Sequence, residues 1–261
     1  MVCKTFVLAN RKGGCAKSSS AAAISNWLAL KGKRVILIDA DSQCNLSYAS
    51  GFDTIANPDI VTLYDVLSGT VKPKDAIQRM DNLLFGGGYI IPASEDLAAF
   101  DNGLETVTVT LVDVVKAISK DFDYCIIDTP MSLGKMTMAA LIAANEVIIP
   151  CMADIYNIQG VQALARLIEA AKPYNAKLRV SGILITRNNE RLVLTKSLMD
   201  MIEALAEQMG TKVFNTKIRE GVAVREAAAQ QMGLFSYDPK CRSAVTADYK
   251  NFILELLKGE E

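Results

Sequence analysis

The 261 residues contain no histidine. Without an imidazole, a histidine general base, a Ser-His-Asp triad and a histidine-ligated metal are all excluded. Paired cysteines are also missing. Cys3, Cys15, Cys44, Cys125, Cys151 and Cys241 form no C-x-x-C motif, and several lie in apolar strand-like runs. They read as reduced, mostly buried thiols, with no paired ligands for an iron–sulfur cluster. Long apolar runs are absent too. Met138–Ala144 ends at Asn145-Glu146, too short to cross a bilayer, and Met1–Ala9 lacks the apolar core of a signal peptide. Charge of either sign is not in excess, at a net −1. That excludes a strongly basic nucleic-acid binder but leaves room for a local basic patch. There is no linker, repeat or low-complexity tract, so one domain over residues 1–261 is the simplest expectation. Hydrophobic residues make up 51%, enough for a sizeable core.

Strand-like and helix-like patterns alternate along the chain. Phe6–Ala9, Arg34–Asp39, Tyr89–Ile91, Tyr124–Asp128, Val147–Met152 and Leu178–Ile185 read as strands, Gly86–Gly88 breaking the chain before the third. Helices are expected at Val61–Leu67 and Leu104–Lys120. Helical stripes run through Ile24, Trp27 and Leu28, through Leu164, Leu167 and Ile168, and through Leu194, Leu198, Ile202 and Leu205. The last holds Tyr249, Phe252, Ile253, Leu256 and Leu257. This order predicts an α/β fold, a mostly parallel sheet with helices on both faces and ligands at the strands' carboxyl ends.

The most informative stretch is Asn10–Ser19, Asn-Arg-Lys-Gly-Gly-Cys-Ala-Lys-Ser-Ser, between the first strand and the first helix. Strand, glycine-bearing loop and helix together make a phosphate cradle, because the helix presents unpaired N–H groups and its positive dipole end. Lys17 is placed to reach β- and γ-phosphates, and Ser18 to put its hydroxyl on Mg²⁺. The ordinary pattern has glycine where this chain has Arg11 and Ala16. Two buried strands end in acids. Leu37-Ile38-Asp39-Ala40-Asp41-Ser42-Gln43 follows the second, and Tyr124-Cys125-Ile126-Ile127-Asp128-Thr129-Pro130 carries another. Such acids suit Mg²⁺ coordination and the orienting of a water.

In this order the three stretches resemble the ParA/MinD family of deviant Walker A ATPases, and most closely the small ParA-type partition proteins. The family's mark is an extra lysine, here Lys12. The resemblance implies a P-loop NTPase fold and Mg²⁺-dependent hydrolysis of ATP. Lys12, Gly13, Gly14, Cys15, Ala16, Lys17, Ser18 and Ser19 would hold the nucleotide. Ser18, Asp39 and Asp128 would serve the metal. Asp41 would position water, and Lys12, Lys17 and Asp41 would be the catalytic set. The family's second switch reads Asp-Thr-Pro-Pro-Ser-Leu; here it reads Asp-Thr-Pro-Met-Ser-Leu, with Met131 for a proline. Ile91–Ser94, Asp96–Ala98 and Ile218–Ala229 resemble further family stretches. Thr186, Arg187 and the region of Thr216 are adenine candidates.

The resemblance also implies an ATP-dependent homodimer, with Lys12 reaching the partner's phosphates. It implies binding to DNA without sequence preference, stimulation by a ParB-like centromere-binding protein, and a cytoplasmic, nucleoid-associated location. From Lys212 to Lys250 seven bases face four acids. Arg219, Arg225, Lys240 and Arg242 are the DNA-contact candidates, with Arg187, Arg191 and Lys196 beside them. The alternative is a MinD-like or other cargo-positioning ATPase acting on a membrane or protein. Glu255 and the ending Lys-Gly-Glu-Glu oppose anionic lipid, so the last helix reads as core packing. Cys15, between two lysines at a helix N-terminus, is expected either to be a reactive thiol of lowered pKa that ATP protects, or an inert space-filler.

Overall fold

The computed structural model describes residues 3–188 and 195–258. Its strands are β1 (Lys4–Leu8), β2 (Val35–Asp39), β3 (Gln78–Arg79), β4 (Tyr89–Ile91), β5 (Tyr124–Asp128), β6 (Glu146–Met152) and β7 (Arg179–Thr186). They form one seven-stranded sheet in the order β3-β4-β2-β5-β1-β6-β7. Every pairing is parallel except β3 with β4, a two-residue edge that no sequence pattern announced.

The helices are α1 (Lys17–Leu30), α2 (Asn45–Ala49), α3 (Leu63–Ser68), α4 (Asn82–Phe85), α5 (Leu97–Asp101), α6 (Leu111–Ile118), α7 (Lys135–Ala143), α8 (Ile155–Ala171), α9 (Thr195–Gln208), α10 (Val222–Ala229), α11 (Leu234–Tyr237) and α12 (Ala244–Leu256). Strand alternation divides the core between two faces. Val7, Ile36, Ile38, Cys125, Ile127, Val147 and Ile149 pack with α3 and α5–α9. Phe6, Leu8, Val35, Leu37, Ile126, Ile148 and Leu184 pack with α1, α2, α4 and α10–α12. Both faces being covered explains why the central strands are continuously apolar.

The helix expected over Leu104–Lys120 is shorter, at Leu111–Ile118. Thr110 starts it, accepting from Asp113 N while Asp113 accepts from Thr110 N and Oγ1, so 104–110 stays outside. α7 was hidden in the apolar block Met138–Ala144. The stripe on α12 packs into the core as expected, with Tyr249, Phe252, Ile253 and Leu256 buried. Leu194 and Arg191 lie outside the described residues, as does the side chain of Lys196. No helix among the described residues is long and apolar enough to cross a membrane.

Candidate functional site

β1 hands the chain to the Ala9–Ala16 loop and then to α1. The loop's shape is held from elsewhere. Buried Asn10 donates its Nδ2 to Pro150 O of β6 at 2.7 Å, and the Thr186 hydroxyl at the tip of β7 donates to Cys15 O at 3.1 Å. Ala16 sits at φ 66°, ψ 30°, in the left-handed region. Glycine's usual presence there is thus a backbone requirement, which alanine meets only with strain. α1 has no side-chain cap, and its first helical bond is Ser20 N to Ala16 O at 2.9 Å. The N–H groups of Lys17, Ser18 and Ser19 therefore have no partner within the helix, which makes its end an anion site. Lys17 is buried, with Nζ at 3.5 Å from Lys12 O. Lys12 is exposed, and its Nζ lies over the Tyr156 ring, 5.5 Å from the centroid.

The acids come from β2 and β5, which are neighbours. Asp39 and Asp128 are register partners, in step along their strands with Leu37 and Ile126, so both project to the α1 side. Both are fully buried. Asp39 is saturated: Oδ2 accepts from Ser47 N at 2.8 Å and Ser47 Oγ at 2.7 Å, and Oδ1 accepts from Asp41 N at 3.1 Å. Neither oxygen of Asp128 accepts a hydrogen bond of normal geometry. Burial, then the charge of Asp39, pushes the Asp128 pKa up to about 8, against the nearby Ser18 hydroxyl and the Lys17 charge. Burial also pushes Asp39 up to about 6, opposed by its bonds from Ser47 and Asp41. Asp41 stands on the cavity wall, its carboxylate accepting from Gln43 N at 3.1 Å. Burial raises its pKa, and the Gln43 bond and Lys17 pull it down.

Asp128 thus offers hard oxygen donors that no hydrogen bond of normal geometry satisfies. A proton or a cation must compensate such a group. No group of three or more His, Cys, Asp or Glu forms a metal cage among the described residues. That suits Mg²⁺, which takes one or two carboxylates and otherwise keeps water and phosphate.

A cavity of about 410 Å³ opens in front of these groups. Its lining includes Gly13, Gly14, Ala16, Lys17, Ser18, Ser19 and Asp41 from the loops after β1 and β2 and the start of α1, and Thr186, Arg187, Ile218, Arg219, Glu220, Gly221 and Arg225 from the later chain. The adenine candidates Thr186 and Arg187 are both in this lining. Thr216 is outside this lining, its N–H bound to Glu255 at 2.9 Å. Met131 also lines the cavity, and its sulfur occupies the space that a side chain at Gly13 would need.

All four DNA-contact candidates are exposed. Arg219 and Arg225 belong to this cavity wall, and Arg219 makes a two-pronged ion pair with Asp248, at 2.7 and 3.0 Å. Lys240 and Arg242 are exposed beyond α11. The reactive-thiol alternative for Cys15 is overturned. The thiol is buried, and desolvation outweighs the charge of Lys17, so its pKa rises. Its sulfur donates to Lys12 O at 3.0 Å. Sequence reasoning missed Ser47, which holds Asp39, and Asp101, which holds Ser132 and Met136. Of these, Ser47 alone had a signal, as a hydroxyl in the helix beside the acids.

Residues 3–180 match the AAA domain family model. The chain is 32% identical over 254 residues to the chromosome-partitioning ATPase Soj of Treponema pallidum, covering 92% of each. The chain belongs to the ParA/MinD family of ATPases. The chromosome partitioning protein ParA of Caulobacter vibrioides is 32% identical, with 91% of this chain and 88% of that protein covered. The ParA/MinD architecture also superposes on cobyrinic acid a,c-diamide synthase from Mycobacterium smegmatis, solved with a bound ATP analogue and magnesium. The TM-score is 0.81 at 28% identity, over all of this chain and 98% of that one.

Proposed function

We propose that this chain is a ParA-type ATPase for plasmid or chromosome partition. It binds ATP with Mg²⁺ in the cavity before α1. The carrying observation is Asp128, a buried carboxylate with both oxygens unbonded, register partner to Asp39 and close enough to Lys17 and Ser18 to feel both. The relatives named above are partition ATPases, which supports the same reading.

The N–H groups of Gly14–Ser19 and the Lys17 ammonium receive the phosphates, and Ser18 turns its hydroxyl to the metal. Asp128 holds the metal's water shell, and Asp39, its oxygens committed to Ser47 and Asp41, shapes that shell from behind. Held near Ser18 and Asp128, magnesium would supply positive charge to offset that of the phosphates. Asp41 orients the attacking water by accepting a hydrogen bond from it. Lys12, exposed beside the loop, leaves the Tyr156 ring to reach a partner subunit's phosphates when ATP closes a homodimer. Thr186 and Arg187 flank the adenine.

The dimer binds DNA without sequence preference. Exposed Lys240 and Arg242 contact phosphates. Arg219 and Arg225, in the nucleotide wall, sit where the bound nucleotide changes their surroundings. Doubling weak contacts on one body multiplies affinity, so dimerisation switches DNA binding on. A ParB-like partner stimulates hydrolysis and release, and the protein is nucleoid-associated in the cytoplasm.

The test is to measure ATP turnover with and without magnesium, and DNA retention with ATP against ADP over a salt series. The expected result is magnesium-dependent turnover and ATP-dependent DNA binding that falls steeply with salt. Lys240→Glu with Arg242→Glu should weaken DNA binding at least tenfold and spare turnover. Turnover without magnesium, or equal DNA binding with ADP and ATP, overturns the reading.

A further inference from the structure

The two acid-bearing loops are joined by a third segment. β4 runs into Pro92–Asp96 and then α5. At the start of this stretch, Ala93 N donates to Ser47 Oγ at 2.8 Å, and the same hydroxyl donates to Asp39. At its end, Asp101 accepts from the Ser132 hydroxyl through Oδ2 and from Met136 N at 3.0 Å through Oδ1. Ser132 O in turn accepts from Thr137 Oγ1 at 2.6 Å. Gly134 permits this approach, since a Cβ there would collide with the Asp101 carboxylate.

The loop after β5 is therefore pinned twice. Its first residue past the strand, Thr129, donates its hydroxyl to Leu8 O at 2.8 Å. Its tail is held by Asp101, through Ser132 and Met136 N, and by the Thr137 hydroxyl on Ser132 O; α7 has Gly134 at its N-cap, which supplies no side-chain cap. Between the pins lie Pro130 and Met131, and Met131 rests on Gly13 of the phosphate loop.

We propose that Asp101 is a positioning residue for hydrolysis, and that Ala93–Asp101 is a brace that sets the Asp39–Asp41 loop and the Asp128–Ser132 loop relative to one another. The proposal rests on the ATPase reading above. Asp101 does not line the cavity, while burial and then the charge of Asp101 raise the pKa of the Asp41 carboxyl. It acts through Ser132 and Met136, which fix where Met131 meets Gly13, and through the brace, which fixes Ser47. A misplacement of the order of 1 Å at such a site costs roughly 100-fold in rate. An ordinary helix cap would instead change stability and leave turnover intact.

The experiment compares wild type with Asp101→Asn, Ser132→Ala and Ser132→Thr, the last keeping the hydroxyl. Turnover, KM for ATP, melting temperature and amide hydrogen exchange of the nucleotide-free protein are measured. The expected result is kcat lowered roughly 10- to 100-fold in Asp101→Asn and Ser132→Ala, with KM within about threefold. Ser132→Thr stays near wild type. Exchange speeds up in residues 129–136 and 45–49 of Asp101→Asn, while β1 and β5 remain protected. The brace is overturned if kcat in Asp101→Asn stays within about twofold of wild type, if Ser132→Thr loses as much as Ser132→Ala, or if exchange in both loops is unchanged. A wild type that hydrolyses no ATP refutes the ATPase reading instead, and the exchange data still decide whether the brace exists.

Discussion

Asp39 and Asp128 are register partners across β2 and β5, both fully buried, yet only Asp39 accepts hydrogen bonds. The protein places two carboxylates side by side and satisfies one. The other is left for a proton or a cation.

The first prediction concerns pH. With burial raising Asp128 from 3.8 to about 8, and Asp39 upward as well, the metal-free folded state binds more protons than the unfolded state. Their contribution to stability is therefore full below about pH 4 and is lost as pH rises toward about pH 8. The chain has no histidine to obscure this window. The melting temperature of metal-free protein should fall from pH 5.5 to pH 8. Asp128→Asn should flatten that dependence and abolish magnesium-dependent nucleotide binding. Calorimetry at the two pH values checks it, and a melting temperature that rises with pH would contradict it.

Ala16 gives the second. An L-residue in the left-handed region costs about 1 kcal/mol, which glycine relieves. Ala16→Gly should raise stability by about that amount, or roughly 2–4 °C in this size range, without loss of ATP affinity. Thermal unfolding measures it. A destabilised Ala16→Gly would show that the Cβ makes a contact worth more than the strain.

The two loop lysines should behave differently. Lys17 is buried beside the phosphate cradle, whereas Lys12 is exposed. Lys17→Ala should weaken nucleotide binding roughly 100-fold through loss of a charge-assisted contact. Lys12→Ala should leave monomer binding within about threefold but lower dimerisation with ATP and cut turnover at least tenfold, since in the proposed dimer its contact lies across the interface. Equilibrium nucleotide titration paired with sedimentation distinguishes them. Wild-type dimerisation and turnover in Lys12→Ala would remove the lysine from that role.

Asp41 lines the cavity without being saturated by bonds. Asp41→Ala should bind ATP within a few-fold of wild type and lose about 100-fold or more of turnover. The ATP dimer should then persist, visible by light scattering. Turnover at the wild-type rate would show that another group orients the water.

Much was legible from order alone. The apolar runs of β1, β2, β5 and β6 announced buried parallel strands. The phosphate loop and the two acid-ended strands announced residues that the fold brings together, because strand alternation places Asp39 and Asp128 on the face that α1 covers. These readings needed only neighbours within a few residues and a period of two.

What the tertiary structure decided depends on partners remote in sequence. Cys15 sits among lysines in sequence, but burial against β6 and β7 decides its thiol. Arg219 counts as one base in a basic stretch until Asp248, on α12, pairs with it beside the cavity. Asp101 looks like any acid ending a short helix until the fold lays Ser132 against it. Which carboxylate of the Asp39–Asp128 pair stays unsatisfied follows from Ser47 folding back onto one of them. Burial and hydrogen bonding fix a group's charge and availability, and both are properties of the packed chain rather than of its order.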